Sequence, residues 1–289
     1  MMPSPSIGAE PNVSKSLGHK LRSHYERIQT TYDHSMKPEQ IAAQLYTVRD
    51  LCTNLQETAE TLKKIKTIGY SAVEVAGICE IGSDDLLKIT GDAGLKICSI
   101  HDGTENVLDQ PEKVVERLNA LGCEIVACSY PPGIDLGNAE DVRQLVDKLK
   151  SAAVVFRAAG KRLCYHHHSV EFTRYGEATV LDHILKSVDP QSLSLELDTY
   201  WIQHGGGSPV EWCARLKNRF PILHLKDYGN TGGVPVYMEV GNGNLDWPKI
   251  LAAAEASGCE WFVVEQDICP GNPLDSLRTS YENLRSRFL

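Results

Sequence analysis

Four apolar, strand-like runs each end on a side chain able to bind a metal ion. Residues 162–169 (RLCYHHHS) open into three consecutive imidazoles; 193–201 (LSLELDTYW) deliver Asp198, 220–228 (FPILHLKDY) deliver His224, and 261–267 (WFVVEQD) deliver Glu265. Successive side chains on an extended strand point to opposite faces, so His166 and His168 share one face while His167 takes the other. Together His166, Asp198, His224 and Glu265 make an imidazole and carboxylate set of the kind that holds a catalytic divalent cation. The four are scattered along the chain, so this chemistry requires a fold that gathers four strand ends.

The surrounding pattern supplies such a fold. From Ile41 onward strands alternate with helices, as in a parallel sheet with crossover helices. Strands are expected at 42–48, 71–76, 96–101 and 124–130 and in the four runs above. Leu55, Ala59, Leu62, Ile65 and Ile68 recur at helical spacing. Gly69, Gly94 and Gly122 stand where helices close, and Ser208 before Pro209 reads as a helix start. Eight strand and helix units over 41–289 favour closure into a (β/α)8 TIM barrel, for which roughly 250 residues is typical; an open doubly wound sheet is the alternative. The seventh connection, 229–244, carries five glycines and is expected to be a long, flexible, functional loop. Residues 1–40 are polar and read as an extension, partly disordered or weakly helical, that contributes little to the site.

Composition narrows the function. The 289 residues are 42% apolar, enough to fill one large core, and the net charge of −9 opposes a surface built to track a phosphate backbone. Nucleic acid is therefore excluded as the expected partner. Nine cysteines with no CxxC spacing suit reduced core positions better than a disulfide framework. With neither a membrane-length apolar run nor a secretory signal core, the expectation is a cytoplasmic protein acting on a small molecule. Association with further copies of itself is left open.

Several short motifs then add up: Gln44-Leu-Tyr-Thr-Val-Arg-Asp50, Val73-Glu-Val-Ala-Gly77, Tyr165-His-His-His168 with Glu171-Phe172, Asp198-Thr-Tyr-Trp-Ile-Gln-His-Gly-Gly206, His224-Leu-Lys-Asp227, Glu239-Val-Gly-Asn-Gly243 and Val264-Glu265. With these the chain resembles the sugar phosphate isomerase/epimerases of the xylose isomerase-like TIM-barrel superfamily. The resemblance implies one divalent cation (Mn, Mg, Zn or Co) at the ends of strands five to eight, on His166, Asp198, His224 and Glu265. Related keto-sugar epimerases carry Glu where this chain has His166, and there two metal-bound glutamates act as opposed acid and base.

The remaining site residues follow from position. Glu265 and His168 are the candidate proton carriers. Glu74 and His101, at the ends of the second and third strands, are expected to line the pocket; Tyr46 and Trp201 offer flat walls to a sugar ring. His204 and Lys226 suit an anionic or hydroxyl-rich substrate end. Glu239 either meets substrate from the glycine-rich loop or is a solvated charge, and Glu196, deeper on the face of Asp198, is expected to pair with a cation such as Lys226. The expected activity is isomerisation or epimerisation of a keto-sugar, sugar phosphate or inosose-like polyol through an enediolate. The alternatives are an inosose dehydratase-like lyase and a sugar-binding barrel without turnover. The endonuclease branch of the superfamily would need more ligands and a basic face.

Overall fold

The computed structural model describes residues 36–289. Eight parallel strands follow one another around a closed barrel: β1 (Ile41–Gln44), β2 (Ala72–Val75), β3 (Lys96–His101), β4 (Ile125–Cys128), β5 (Arg162–His166), β6 (Leu193–Asp198), β7 (Ile222–Leu225) and β8 (Trp261–Val264). β8 closes the ring on β1 through Ile41↔Phe262 to Ala43↔Val264. The expected (β/α)8 barrel is the fold.

Helices α1 (Leu55–Ile68), α2 (Ser83–Asp92), α3 (Thr104–Asp109), α4 (Pro111–Ala120), α5 (Ala139–Ala158), α6 (Val180–Ser187), α7 (Thr199–His204), α8 (Pro209–Arg215), α9 (Trp247–Ala256) and α10 (Pro273–Arg287) fill the connections. Gly69, Gly94 and Gly122 follow α1, α2 and α4 with φ of 131°, 72° and 62°, the region that only glycine enters at little cost. Asn54, Asn138 and Ser208 cap α1, α5 and α8 by accepting backbone N–H groups.

Strands end earlier than apolar runs suggest, because the chain turns as soon as its polar residue is placed. The Gln44 side chain accepts from the Tyr46 amide and starts a 3-10 turn over Leu45–Leu51. Asp198 accepts from the Trp201 amide and caps α7, so Trp201 rides a helix rather than a strand.

Inside the barrel, alternation sorts side chains into layers. Ala42, Ala72, Cys98, Ile125, Ala127, Cys164, Ile222 and Val263 pack a small apolar plug, with Trp261 against it. Two residues on along their strands come Gln44, Glu74, His166, His224 and Glu265, all buried. A second, larger core lies between strands and helices. It includes the Met36 side chain; Ser71 Oγ donates to the Pro38 carbonyl, and the Gln40 amide to that of Glu260. Residues 36–40 of the expected 1–40 extension are thus attached to the barrel, and 1–35 lie outside the described residues.

The glycine-rich seventh connection is ordered, a correction to the flexible loop expected. Asp227–Thr231 and Val234–Met238 pair as an antiparallel hairpin whose tip, Gly232-Gly233, has positive φ at both residues, as a tight two-residue turn requires. Its return is tied to buried Asp227, whose carboxylate accepts from the amides of Tyr228, Gly241, Gly243 and Leu245 and from Trp247 Nε1.

Candidate metal centre and active site

The layer of polar side chains above the apolar plug converges on His224. Its Nδ1 lies 2.9 Å from Glu265 Oε2 and 3.8 Å from Asp198 Oδ2. Its Nε2 lies 2.7 Å from Glu74 Oε2 and 3.0 Å from Glu196 Oε1. One imidazole therefore separates two groups of donors. Asp198, His224 and Glu265 offer ligand atoms all within 4.8 Å of one another; His101, His166, Glu196 and His224 do the same on the other side. His166 falls in the second group, its Nδ1 3.0 Å from Glu196 Oε1. Three of the four expected ligands are thus in one cluster, and His166 is joined to it through His224.

The first cluster fits a divalent cation by its chemistry. It combines two carboxylates and an imidazole, and Asp198 Oδ2 is a buried acceptor that receives no well-aligned hydrogen bond. Lys226 Nζ sits among these carboxylates, 3.0 Å from Asp198 Oδ2, 2.7 Å from Glu265 Oε2 and 2.7 Å from Asp267 Oδ2. Buried in this way, Lys226 is a counter-ion to these three carboxylates. Glu196 does not pair with it. Its Oε1 instead meets His101, His166 and His224, while its Oε2 is buried without a partner.

Burial and charge divide the histidines. Desolvation opposes protonation of His101, yet Glu196 and Glu74 outweigh it and raise the imidazole to about 10. Burial lowers His166 to about 3 and His168 to about 4, the latter with help from the Lys226 ammonium. Burial also raises the Asp198 carboxyl to about 6, against the pull of Lys226 and His224. Glu265 is desolvated too, but Lys226 and His224 hold it well below the usual carboxylate range. Desolvation opposes protonation of His224 as well, but Glu196, Glu265 and Glu74 raise it well above the usual imidazole value. The mouth therefore holds neutral imidazoles at His166 and His168, protonated ones at His101 and His224, and an ionised carboxylate at Glu265.

Residues 62–287 match the profile of the xylose isomerase-like TIM barrel family. The chain belongs to that family. Among curated relatives, the inosose dehydratase of Salmonella typhimurium is 24% identical over 248 residues, covering 72% of this chain and 81% of that protein. Matches to two further inosose dehydratases span 45% of those proteins' length. A sugar phosphate isomerase/epimerase from Parabacteroides distasonis superposes with a TM-score of 0.73 at 25% identity, covering 88% of this chain and 96% of that one. A xylose isomerase-like barrel from Mycobacterium smegmatis, in complex with magnesium, shares the fold at 14% identity, with a TM-score of 0.68 over 85% of this chain and 95% of that one.

Against this xylose isomerase-like frame the other expected residues separate. His168 stands edge-on to Trp201, ring centroids 5.3 Å apart, and its Nδ1 is buried without a partner, as is Trp201 Nε1. Glu74 is fully buried and bonded to Ser99 and His224. Tyr46 stacks under the Arg49 guanidinium at 4.1 Å, and an added Cβ at Gly77 would fall 2.4 Å from its ring. His204 is exposed and lies against Tyr200, centroids 5.6 Å apart. Glu239 is half-buried, accepts from Ser276 Oγ on α10 and belongs to neither cluster. Residues the motifs did not single out as functional are Ser99, Glu171, Asp227 and Asp267. Two of them lay inside the motifs, Asp227 as the acid after His224-Leu-Lys and Glu171 beside Phe172.

Proposed function

We propose that the protein is a divalent-cation-dependent enzyme that removes the proton beside the carbonyl of an inosose-like polyhydroxy ketone and then expels the β-hydroxyl as water. The observation that carries this reading is the convergence of Asp198, His224 and Glu265, with ligand atoms within 4.8 Å of one another. These three would hold the cation, with His166 as a fourth candidate through Nε2, since its Nδ1 lies against Glu196. A bound cation would supply Lewis acidity to the carbonyl and to the charge of the enediolate. Glu265, ionised beside Lys226 and His224, accepts the C–H proton. The released electron pair passes through the enediolate and breaks the C–O bond at the β carbon. His101, kept protonated by Glu196 and Glu74, gives the departing hydroxyl its proton, leaving an enol that becomes a diketone.

Elimination needs one acceptor and one donor, which matches this mouth. The inosose dehydratases among the curated relatives support it. Epimerisation of a keto-sugar is the second reading, supported by the Parabacteroides distasonis neighbour. It calls for a second proton carrier, and His168, neutral through burial, is the candidate.

The test is to strip the protein with a chelator, reload it with Mg, Mn, Co or Zn, and incubate it with an inosose and keto-sugar panel in deuterated water. Cation-dependent loss of water from an inosose is expected. Deuterium incorporation with a new epimer and no water loss would favour the second reading. No exchange in any member would leave a binding barrel.

A further inference from the structure

We propose that Glu74 is a positioning residue for His224: by accepting the Nε2 proton it fixes the imidazole with Nδ1 as the ligating nitrogen. This rests on the reading that His224 binds a cation.

The geometry begins in the sheet. Pairing of β2 with β3 runs Val73↔Ile97 and then skips to Glu74↔Ser99, so Cys98 is an extra residue and Ser99 is brought beside Glu74. Ser99 Oγ donates to Glu74 Oε1 at 2.5 Å, and Glu74 Oε2 lies 2.7 Å from His224 Nε2. Both carboxylate oxygens are engaged and the residue has no exposed surface. Glu74 cannot reach a substrate without abandoning these bonds, so it acts through His224. On the far side of the ring, Nδ1 faces Glu265 and Asp198. A carboxylate on the outer nitrogen of a ligating histidine sets its tautomer and orientation and raises its basicity; its loss costs about 10–100-fold in metal affinity. Glu196, 3.0 Å from the same Nε2, reinforces the arrangement from a neighbouring strand.

The test compares wild type, Glu74→Gln and Glu74→Leu by calorimetric titration with Zn and Co ions and by long-range ¹H–¹⁵N NMR of the His224 ring, after circular dichroism has confirmed folding. Wild type is expected to show an Nε2-bound proton protected from exchange, with Nδ1 shifting on addition of zinc. Glu74→Leu should lose that protected proton and bind both ions about 10–100-fold more weakly. Glu74→Gln, whose amide oxygen still accepts from Nε2 while its NH2 donates to Ser99, should fall between the two. Because it is nearly isosteric, it serves even where Glu74→Leu does not fold. Ion binding that neither variant weakens, with an unchanged His224 spectrum, overturns the proposal alone. A wild type that binds neither ion overturns the cation reading and this proposal with it.

Discussion

Asp198 and His224 are register partners on adjacent parallel strands β6 and β7, and their side chains reach the same place, Oδ2 to Nδ1 3.8 Å. A slip of one residue would turn either side chain out of the barrel, so the centre depends on strand register. Lys226 lies two residues beyond His224 on the same face and puts its ammonium between Asp198 and Glu265. A monovalent charge thus neutralises the carboxylates that a divalent ion would share.

Lys226→Met should therefore strip a buried counter-ion from three carboxylates. Breaking such a group from one side costs about 3–5 kcal/mol, so the metal-free variant should melt well below wild type. Saturating Mg or Zn should recover more of the melting temperature in the variant than in the parent. Equal melting of the two proteins, with and without metal, would refute the counter-ion role.

Glu171 offers a pH test away from the metal cluster. Burial raises its carboxyl from 4.5 to about 7, outweighing the bonds donated by the His168 amide and Tyr165 hydroxyl. The folded chain keeps a proton there that the unfolded chain releases at lower pH. Its contribution to stability is therefore full below about pH 4.5, falls as pH rises to about 7, and is then lost, a change on the order of 3 kcal/mol. Denaturant melts of wild type and Glu171→Gln at pH 4.5 to 8 should show the variant gaining on wild type across that window. Parallel curves would count against it.

The barrel was legible because its signals are local: apolar runs of strand length, helical spacing after each, and glycine at the helix ends. Asp198, His224 and Glu265 were legible for the same reason, since each ends such a run. The roles of Lys226, Glu196 and Glu74 were not, because they depend on which side chain faces which across the lumen. Glu196 meets histidines from β3, β5 and β7, a coincidence of three separate strands. The hairpin after β7 was masked by composition: five glycines read as flexibility, while the feature that orders them is a single buried carboxylate, Asp227.

That carboxylate makes a steric prediction. A Cβ at Gly243 would lie 2.4 Å from Asp227 Oδ1 and 2.7 Å from the Tyr228 carbonyl oxygen. Gly243→Ala must push the loop off its anchor, and overpacking of this kind costs about 1–3 kcal/mol. A lowered melting temperature is expected, with faster amide exchange at Gly241 and Leu245. An unchanged exchange pattern would show that the loop does not depend on Asp227.

Glu265 carries the last prediction, because the proposed mechanism asks it both to bind the cation and to take the proton. A carboxylate has two oxygens and can divide these tasks, whereas an imidazole ligand cannot divide its coordinating nitrogen. Glu265→Gln keeps an amide oxygen for coordination, so part of the metal affinity should survive. Turnover should nevertheless fall by roughly 10²–10⁴-fold, the range for a positioned acid or base. His168→Ala should hurt less, since His168 offers no ligand atom to the cluster of Asp198, His224 and Glu265 where the cation would polarise the substrate. Exchange of the substrate C–H with deuterated water separates the two without requiring completed turnover. Native-rate exchange in Glu265→Gln, with loss in His168→Ala, would move the base to His168 and leave Glu265 as a ligand alone.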